Sequence, residues 1–276
     1  MKFIYITPFV NEDFFIPVKK GMEDAAKLLN IESVFTGTND GDNAALISLL
    51  ADAIKERYDG IALSIAQSGI YAEIIRQSLD SGVPLVTFNM DDPGTPRLAT
   101  VSQFFYKAGN GFARRALPRL RKGAKVLACM HDAGVGALEE RLRGIRDGLE
   151  SLNPDIKTII SGNTPELAKE AILANLDGDT EAILCTGQSD THGAGLAAAS
   201  LESSKRPYVA GFDICDSIAD LIKNGIIDFT VDQQPYVQGF YPLLMLYQYK
   251  TGAIVPFDID TGNAIIDRNS VKGFNV

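Results

Sequence analysis

Short runs of uninterrupted apolar residues alternate, along the whole chain, with longer stretches whose apolar side chains recur every three or four positions. The runs read KFIYIT (2–7), ESVFTG (32–37), GIALSI (60–65), PLVTFN (84–89) and ATVSQ (99–103). A second series follows: KVLACM (125–130), TIISG (158–162), AILCTG (182–187), YVAGFD (208–213) and IDFTVDQ (227–233). Between them, NAALISLLADAI (43–54) sets Leu46, Leu49, Leu50, Ala53 and Ile54 on one face of a helix. Strands that read as continuous apolar runs, separated by helices, predict parallel sheets covered on both faces. Each series holds about five strands, the size of one doubly wound sheet. The break falls near residues 104–124, and no Pro/Gly/Ser-rich linker marks it, so several ordered crossings are expected to join the halves.

Ligands of open α/β sheets bind beyond the carboxyl ends of the strands. Those ends are polar in this chain. The first half offers Asn11 and the pair Phe14–Phe15, then Ser64, then Asn89, Asp91 and Asp92, then Gln103. The second half offers HDAG (131–134), GNT (162–164), TGQSD (186–190), FDICD (212–216) and DQQ (232–234), the last placed just before Pro235 at a helix start. A set of amides, carboxylates and hydroxyls beside two phenyl rings suits a polyhydroxylated ligand. Each hydroxyl both donates and accepts a hydrogen bond, and the C–H face of a sugar ring packs on an aromatic face. Taken singly, Asn, Asp and Ser are also ordinary caps and turn residues, and either Phe could be core. Gln233 and Gln234 have no such capping preference, and an idle carboxylate at Asp213, after a buried strand, is expensive. Arg141 lies on a helix, where the alternative is a surface ion pair. His131 and His192 are the only histidines.

Composition narrows the field. Of 276 residues, 46% are hydrophobic and 22% charged, with net charge −9, which argues against a nucleic-acid partner. The densest basic run, RRALPRLRKG (114–123), is spaced like a solvated helix face. No stretch approaches the ~18 apolar residues of a membrane span. The chain opens on a strand with no export signal, which is expected of a cytoplasmic protein or of a mature chain whose signal has been removed. The three cysteines cannot all pair, and two lie in apolar runs. DAGVGALEE (132–140) follows a strand, but Glu139 stands where a dinucleotide fingerprint needs its third glycine. Phosphate-loop, nucleophile-elbow and metal-spacing motifs are missing, so neither cofactor nor metal is expected. Acids such as Asp91 and Asp213 could in principle flank a glycosidic bond.

Seven stretches, in order, resemble the periplasmic sugar-binding proteins of ABC importers of the ribose- and galactose-binding type. They are PFVNEDFFIPVKKGMEDAAKLL, YDGIALSIAQS, GVPLVTFNMDDPG, SQFFYKAGNGFA, EERLRGIRDGL, YVAGFDICDSI and VDQQPYVQGFYPL. The effector domains of LacI-type repressors share that fold. The resemblance implies a type I periplasmic binding protein: α/β, with two doubly wound parallel-sheet lobes joined by a three-crossing hinge. The lobes would comprise residues 1–103 plus 234–262 and 104–233 plus 263–276. Carried over by position, Phe14 and Phe15 stack on the sugar ring, and Ser64, Asn89, Asp91 and Gln103 face its hydroxyls. Arg141, Asp213 and Gln233 do so from the second lobe. The family often has Asn-Asp after the fourth strand of that lobe. Here TGQSDTHGAG leaves Thr186, Gln188, Ser189 and Asp190 in competition, of which Gln188 is carried forward. His131 is added as a specificity contact.

The function so implied is that of an extracytoplasmic solute-binding protein. It captures a monosaccharide or polyol between two lobes and delivers it to the membrane permease of an ABC importer, without covalent chemistry. A monomer is expected, either periplasmic or lipid-anchored outside the cell. The alternative is the sugar-sensing effector domain of a LacI-type transcriptional regulator.

Overall fold

A computed structural model describes residues 1–273, so the expected second-lobe segment 263–276 ends outside the described residues. The chain divides into two compact units, residues 1–103 with 234–261 and residues 104–233 with the segment from 262 onward.

In the first unit the order is β1 (Lys2–Thr7), α1 (Phe15–Leu29), β2 (Glu32–Gly37), α2 (Asn43–Lys55), β3 (Gly60–Leu63), α3 (Ala72–Asp80), β4 (Leu85–Phe88) and β5 (Thr100–Ser102). The second unit continues with α4 (Phe105–Ala116), β6 (Lys125–Met130), α5 (Gly136–Leu149), β7 (Asp155–Ile160), α6 (Pro165–Asn175) and β8 (Thr180–Cys185). It then runs through α7 (Gln188–Ala199), β9 (Tyr208–Phe212), α8 (Asp216–Lys223) and β10 (Phe229–Asp232). The chain returns to the first unit for α9 (Pro235–Gly252) and β11 (Ile259–Asp260), and to the second for β12 (Ala264–Asp267).

Among the described residues the strands form two six-stranded sheets, ordered β11-β5-β4-β3-β1-β2 and β12-β10-β9-β8-β6-β7. All pairings are parallel except β10 with β12. In both sheets the order reverses beside the first strand, between β1 and β3 and between β6 and β8, the switch point at which such sheets bind ligands.

Each sheet is covered on both faces, as its apolar runs require. Phe3, Tyr5, Val86 and Phe88 pack under α1 and α9 on one face of the first sheet, and Ile4, Ile61 and Leu63 under α2 and α3 on the other. In the second unit, Phe112 of α4 stacks on Phe212 at 5.1 Å, while Ile172, Ala194 and Ile218 bring α6, α7 and α8 to the opposite face. The helix pairs α1/α9 and α4/α5 touch backbone to backbone. A Cβ on Gly239 would lie 1.8 Å from the Val18 carbonyl oxygen, and one on Gly144 would lie 2.2 Å from that of Tyr106. Local chemistry starts the helices. Asp42 accepts from the Ala44 and Ala45 N–H groups at 2.9 and 3.3 Å, Thr164 accepts from Leu167 N–H, and Pro235 opens α9.

β11 and β12 were not expected, and two strands are displaced. β7 begins at Asp155 rather than 158 because it is an edge strand whose exposed Asp155 and Lys157 interrupt the apolar run. β8 ends at Cys185, so Thr186 and Gly187 belong to the turn into α7.

Candidate functional site

The carboxyl ends of the first sheet carry a neutral rim. Ser64 follows β3, Asn89 follows β4 and Gln103 follows β5; their exposures are 0%, 8% and 1%. Backbone pairing runs one residue past each strand, from Ser64 N–H to the Ile6 carbonyl and from Asn89 N–H to that of Val101. This brings the Ser64 hydroxyl within 3.5 Å of the Asn89 amide oxygen. Asn89 has φ +59, a left-handed conformation that Asn tolerates better than most residues, and the chain turns sharply there. At the end of β1, Thr7 is fully buried and its hydroxyl has no hydrogen-bond partner among the described residues. That hydroxyl was not among the expected contacts, because Thr in an apolar run reads as a strand former.

Two expected members do not join this rim. Both oxygens of Asp91 are held by Arg97, with Nε and Nη2 each at 2.7 Å, and the Thr87 hydroxyl donates to Oδ1 at 2.6 Å. Arg97 also binds Asp258 at 2.8 Å, so Asp91 is engaged in an internal ion pair. Phe15 is 3% exposed and lies in the core, with its ring centroid 6.3 Å from Phe35 and 6.5 Å from Phe88. Phe14 is the half-buried ring of the pair, edge-to-face on Phe15 at 5.1 Å.

The second sheet carries a charged rim. Arg141, from α5, is 2% exposed. Its Nη1 donates to the Thr186 carbonyl at 2.8 Å, and its guanidinium carbon stands 4.3 Å from the Phe212 ring centroid and 5.2 Å from that of Phe105. Burial pulls this guanidinium below its ordinary value, opposed by Asp213 and Asp190, and it stays charged because arginine starts so high. Asp213, at φ +67 after β9, is 9% exposed and lies 3.9 Å from Arg141 Nη1. Its Oδ1 accepts from Gln233 Nε2 at 2.6 Å. Burial pushes the Asp213 carboxyl up, and Arg141 and the Gln233 amide counter part of that shift.

Asp190 is fully buried, and its carboxylate accepts from the Thr186 and Gly187 N–H groups at 2.8 and 3.0 Å. It therefore closes the first turn of α7 rather than competing for ligand. Gln188, the first residue of α7, is half-buried, and Ser189 donates to the Asn163 carbonyl. His131 follows β6, with Nδ1 3.6 Å from Asp190 Oδ1. Thus Arg141, Asp213, Gln233 and His131 come together as expected around the ends of β6, β8, β9 and β10. Among the described residues no group of three His, Cys, Asp or Glu could hold a metal ion, and no helix is long and apolar enough to cross a membrane.

Residues 3–254 match the family described as the periplasmic binding protein domain. The chain belongs to that family. Among curated proteins it is similar to the xylose/arabinose-binding protein XylF of Sulfolobus acidocaldarius, with 26% identity over 99% of this chain and 72% of the relative. It is also similar to the D-allose-binding periplasmic protein of Escherichia coli, with 24% identity over 90% and 85%. Among solved structures, a sugar-binding protein of a Bacillus halodurans sugar ABC transporter superposes with a TM-score of 0.89, 23% identity and full coverage of both chains. Periplasmic binding proteins are substrate-binding rather than catalytic, and their setting is extracytoplasmic.

Proposed function

We propose that this chain is the sugar receptor of an ABC importer: it captures a monosaccharide or polyol and hands it to the importer's membrane permease. The observation that carries this reading is the buried cluster of Arg141, Asp213 and Gln233 at the strand ends of a periplasmic binding protein. The cluster joins a fixed cation, a carboxylate and a carboxamide in a space screened from bulk water, which suits vicinal hydroxyls. A ring hydroxyl donates to the Asp213 carboxylate while a neighbouring hydroxyl accepts from Arg141, and such charge-assisted bonds are the stronger members of a polar set. Relatives named for xylose and arabinose, ribose and allose support a sugar as the ligand.

The contacts are assigned to Phe14, Ser64, Asn89 and Gln103 of the first unit and to His131, Arg141, Gln188, Asp213 and Gln233 of the second. Recognition needs only that the closed state bind the sugar better than the open one, so no covalent step is involved. The receptor works as a monomer, free in a periplasm or held outside the cell by a lipid. A thermal-shift screen with xylose, arabinose, ribose, allose, hexoses, polyols and inositols tests this directly, since a tight ligand raises the melting temperature by mass action. One of these raises it, and Asp213→Ala and Gln233→Ala each abolish the rise. Retention of the full shift in both variants would refute the assignment.

A further inference from the structure

His131 differs from its neighbours in how it is seated. Its Nδ1 is buried without a hydrogen-bond partner among the described residues, and the 3.6 Å to Asp190 Oδ1 is too long for a hydrogen bond. The side chain is nevertheless 28% exposed. With Nδ1 covered, the open edge is the one that carries Nε2. The ring rests on Gly187, where a Cβ would lie 2.6 Å from Nδ1 and 2.7 Å from Cε1. Gly187 has φ −149 and ψ −172, an extended conformation open to any residue. The missing side chain therefore makes room for the imidazole and does nothing for the turn. The Asp190 carboxylate behind the ring is itself immobilised by the Thr186 and Gly187 N–H groups.

We propose that Gly187 and Asp190 are positioning residues that hold His131 as a specificity-determining contact, with Nε2 presented as an acceptor to one hydroxyl of the bound sugar. This rests on the sugar-receptor reading above. A carboxylate beside Nδ1 favours the neutral tautomer protonated there, which leaves the Nε2 lone pair pointing outward. A fixed acceptor selects for the hydroxyl that matches it, because a ligand without that group leaves it unpaired. Asp190 faces the ring from α7, Asp213 from the end of β9 and Asp132 from its own loop. The cation of this rim, Arg141 of α5, lies 3.9 Å from Asp213 and donates to the Thr186 carbonyl. Burial opposes protonation of the imidazole, but the three carboxylates prevail and His131 protonates above the ordinary histidine value. Protonation converts the Nε2 acceptor into a donor.

The experiment is isothermal titration of the full chain with xylose, arabinose, ribose and allose. His131→Ala and Gly187→Ala each weaken the preferred sugar about tenfold and narrow its margin over the next. Gly187→Ala adds much less in the His131→Ala background, because the two closest contacts of the methyl group, at 2.6 and 2.7 Å, are ring atoms and only the Asp190 Oδ1 contact at 3.2 Å remains. Lowering the pH from about 8.5 to about 5.5 weakens the wild type several-fold but leaves His131→Gln, which cannot titrate, unchanged over that range. If the wild type binds a sugar and His131→Ala keeps both affinity and selectivity, the inference falls and the receptor reading stands. The same holds if Gly187→Ala is as harmful without the imidazole as with it. If neither these four sugars nor any hexose, polyol or inositol of the thermal-shift screen binds the wild type, the receptor reading falls and takes the inference with it.

Discussion

The two units share a sheet order and a pair of closely crossing helices, yet they arm their strand ends differently. The first unit presents Ser64, Asn89 and Gln103, all neutral, and ties up its nearby acids, Asp91 with Arg97 and Asp92 with the Gly69 and Gly94 N–H groups. The second presents Arg141 and Asp213 with His131 and Asp190 beside them. Burying neutral groups costs little once they are hydrogen-bonded. Burying the charged ones is costly unless each finds a partner, and Arg141 and Asp213 are 3.9 Å apart, looser than a good ion pair. A ligand that adds charge-assisted bonds to these groups gains more than one that bonds a pair of amides. Affinity should therefore be concentrated in the second unit, with the first adding selectivity.

The largest expected effect tests that asymmetry. Arg141→Ala and Asp213→Ala each weaken sugar binding at least ~100-fold by calorimetry; losses no larger than those from the neutral rim would erase the distinction. Next come the helix crossings that the units have in common. Gly239→Ala and Gly144→Ala each destabilise the protein by about 2–3 kcal/mol in denaturant melts, since neither carbonyl neighbour can yield without moving a helix. Asp91→Ala separates scaffold from site: it costs about 2 kcal/mol of ligand-free stability by leaving the largely buried Arg97 with Asp258 alone, while affinity stays within about twofold. A large loss of affinity there would return Asp91 to the rim. Asn89→Ala weakens binding about five- to tenfold, as loss of one neutral hydrogen bond does.

The smallest effect is on pH. Asp213 holds its proton more tightly folded than unfolded, so its contribution to ligand-free stability is complete at low pH and is lost as pH rises through its folded value. Sugar binding runs the other way, because it is the ionised carboxylate that accepts. Measured in the His131→Gln background, so that the imidazole does not contribute, affinity declines from pH about 5.5 down toward ordinary carboxylate values, and the decline is absent when Asp213→Asn is added.

Much of the fold was legible because parallel strands buried on both faces leave uninterrupted apolar runs; β1, β2 and β6 fall on their expected residues. β11 and β12 left no such trace. They are short, and they exist through partners far away in sequence, Val101 and Ser102 for one and Phe229–Asp232 for the other. The pairing at the strand ends was foreshadowed where a residue has a poor structural excuse for its place, as with Gln233 and Asp213, which hydrogen-bond to each other. The ion pair of Asp91 was not legible, because its partner Arg97 sits in a loop without periodicity. Nor was the deeper burial of Phe15, because adjacent aromatics look alike until the helix start turns one inward. Gly187 could not be found at all, since its role is to be small beside a ring 56 positions earlier, close only in space.

The first unit is built from two separated stretches of chain, and the second is threaded between them. Leu243, Met245 and Leu246 of α9 complete the core begun by Phe3 and Tyr5, and the Tyr5 hydroxyl donates to the Gly239 carbonyl at 2.6 Å. During synthesis the amino-terminal sheet must wait, with one apolar face uncovered, until residues 104–233 and then α9 have left the ribosome. The second unit, by contrast, needs only β12 to finish its sheet. Such an arrangement delays the burial of the leading end, and so prolongs the interval in which a nascent chain can still be threaded through a membrane pore.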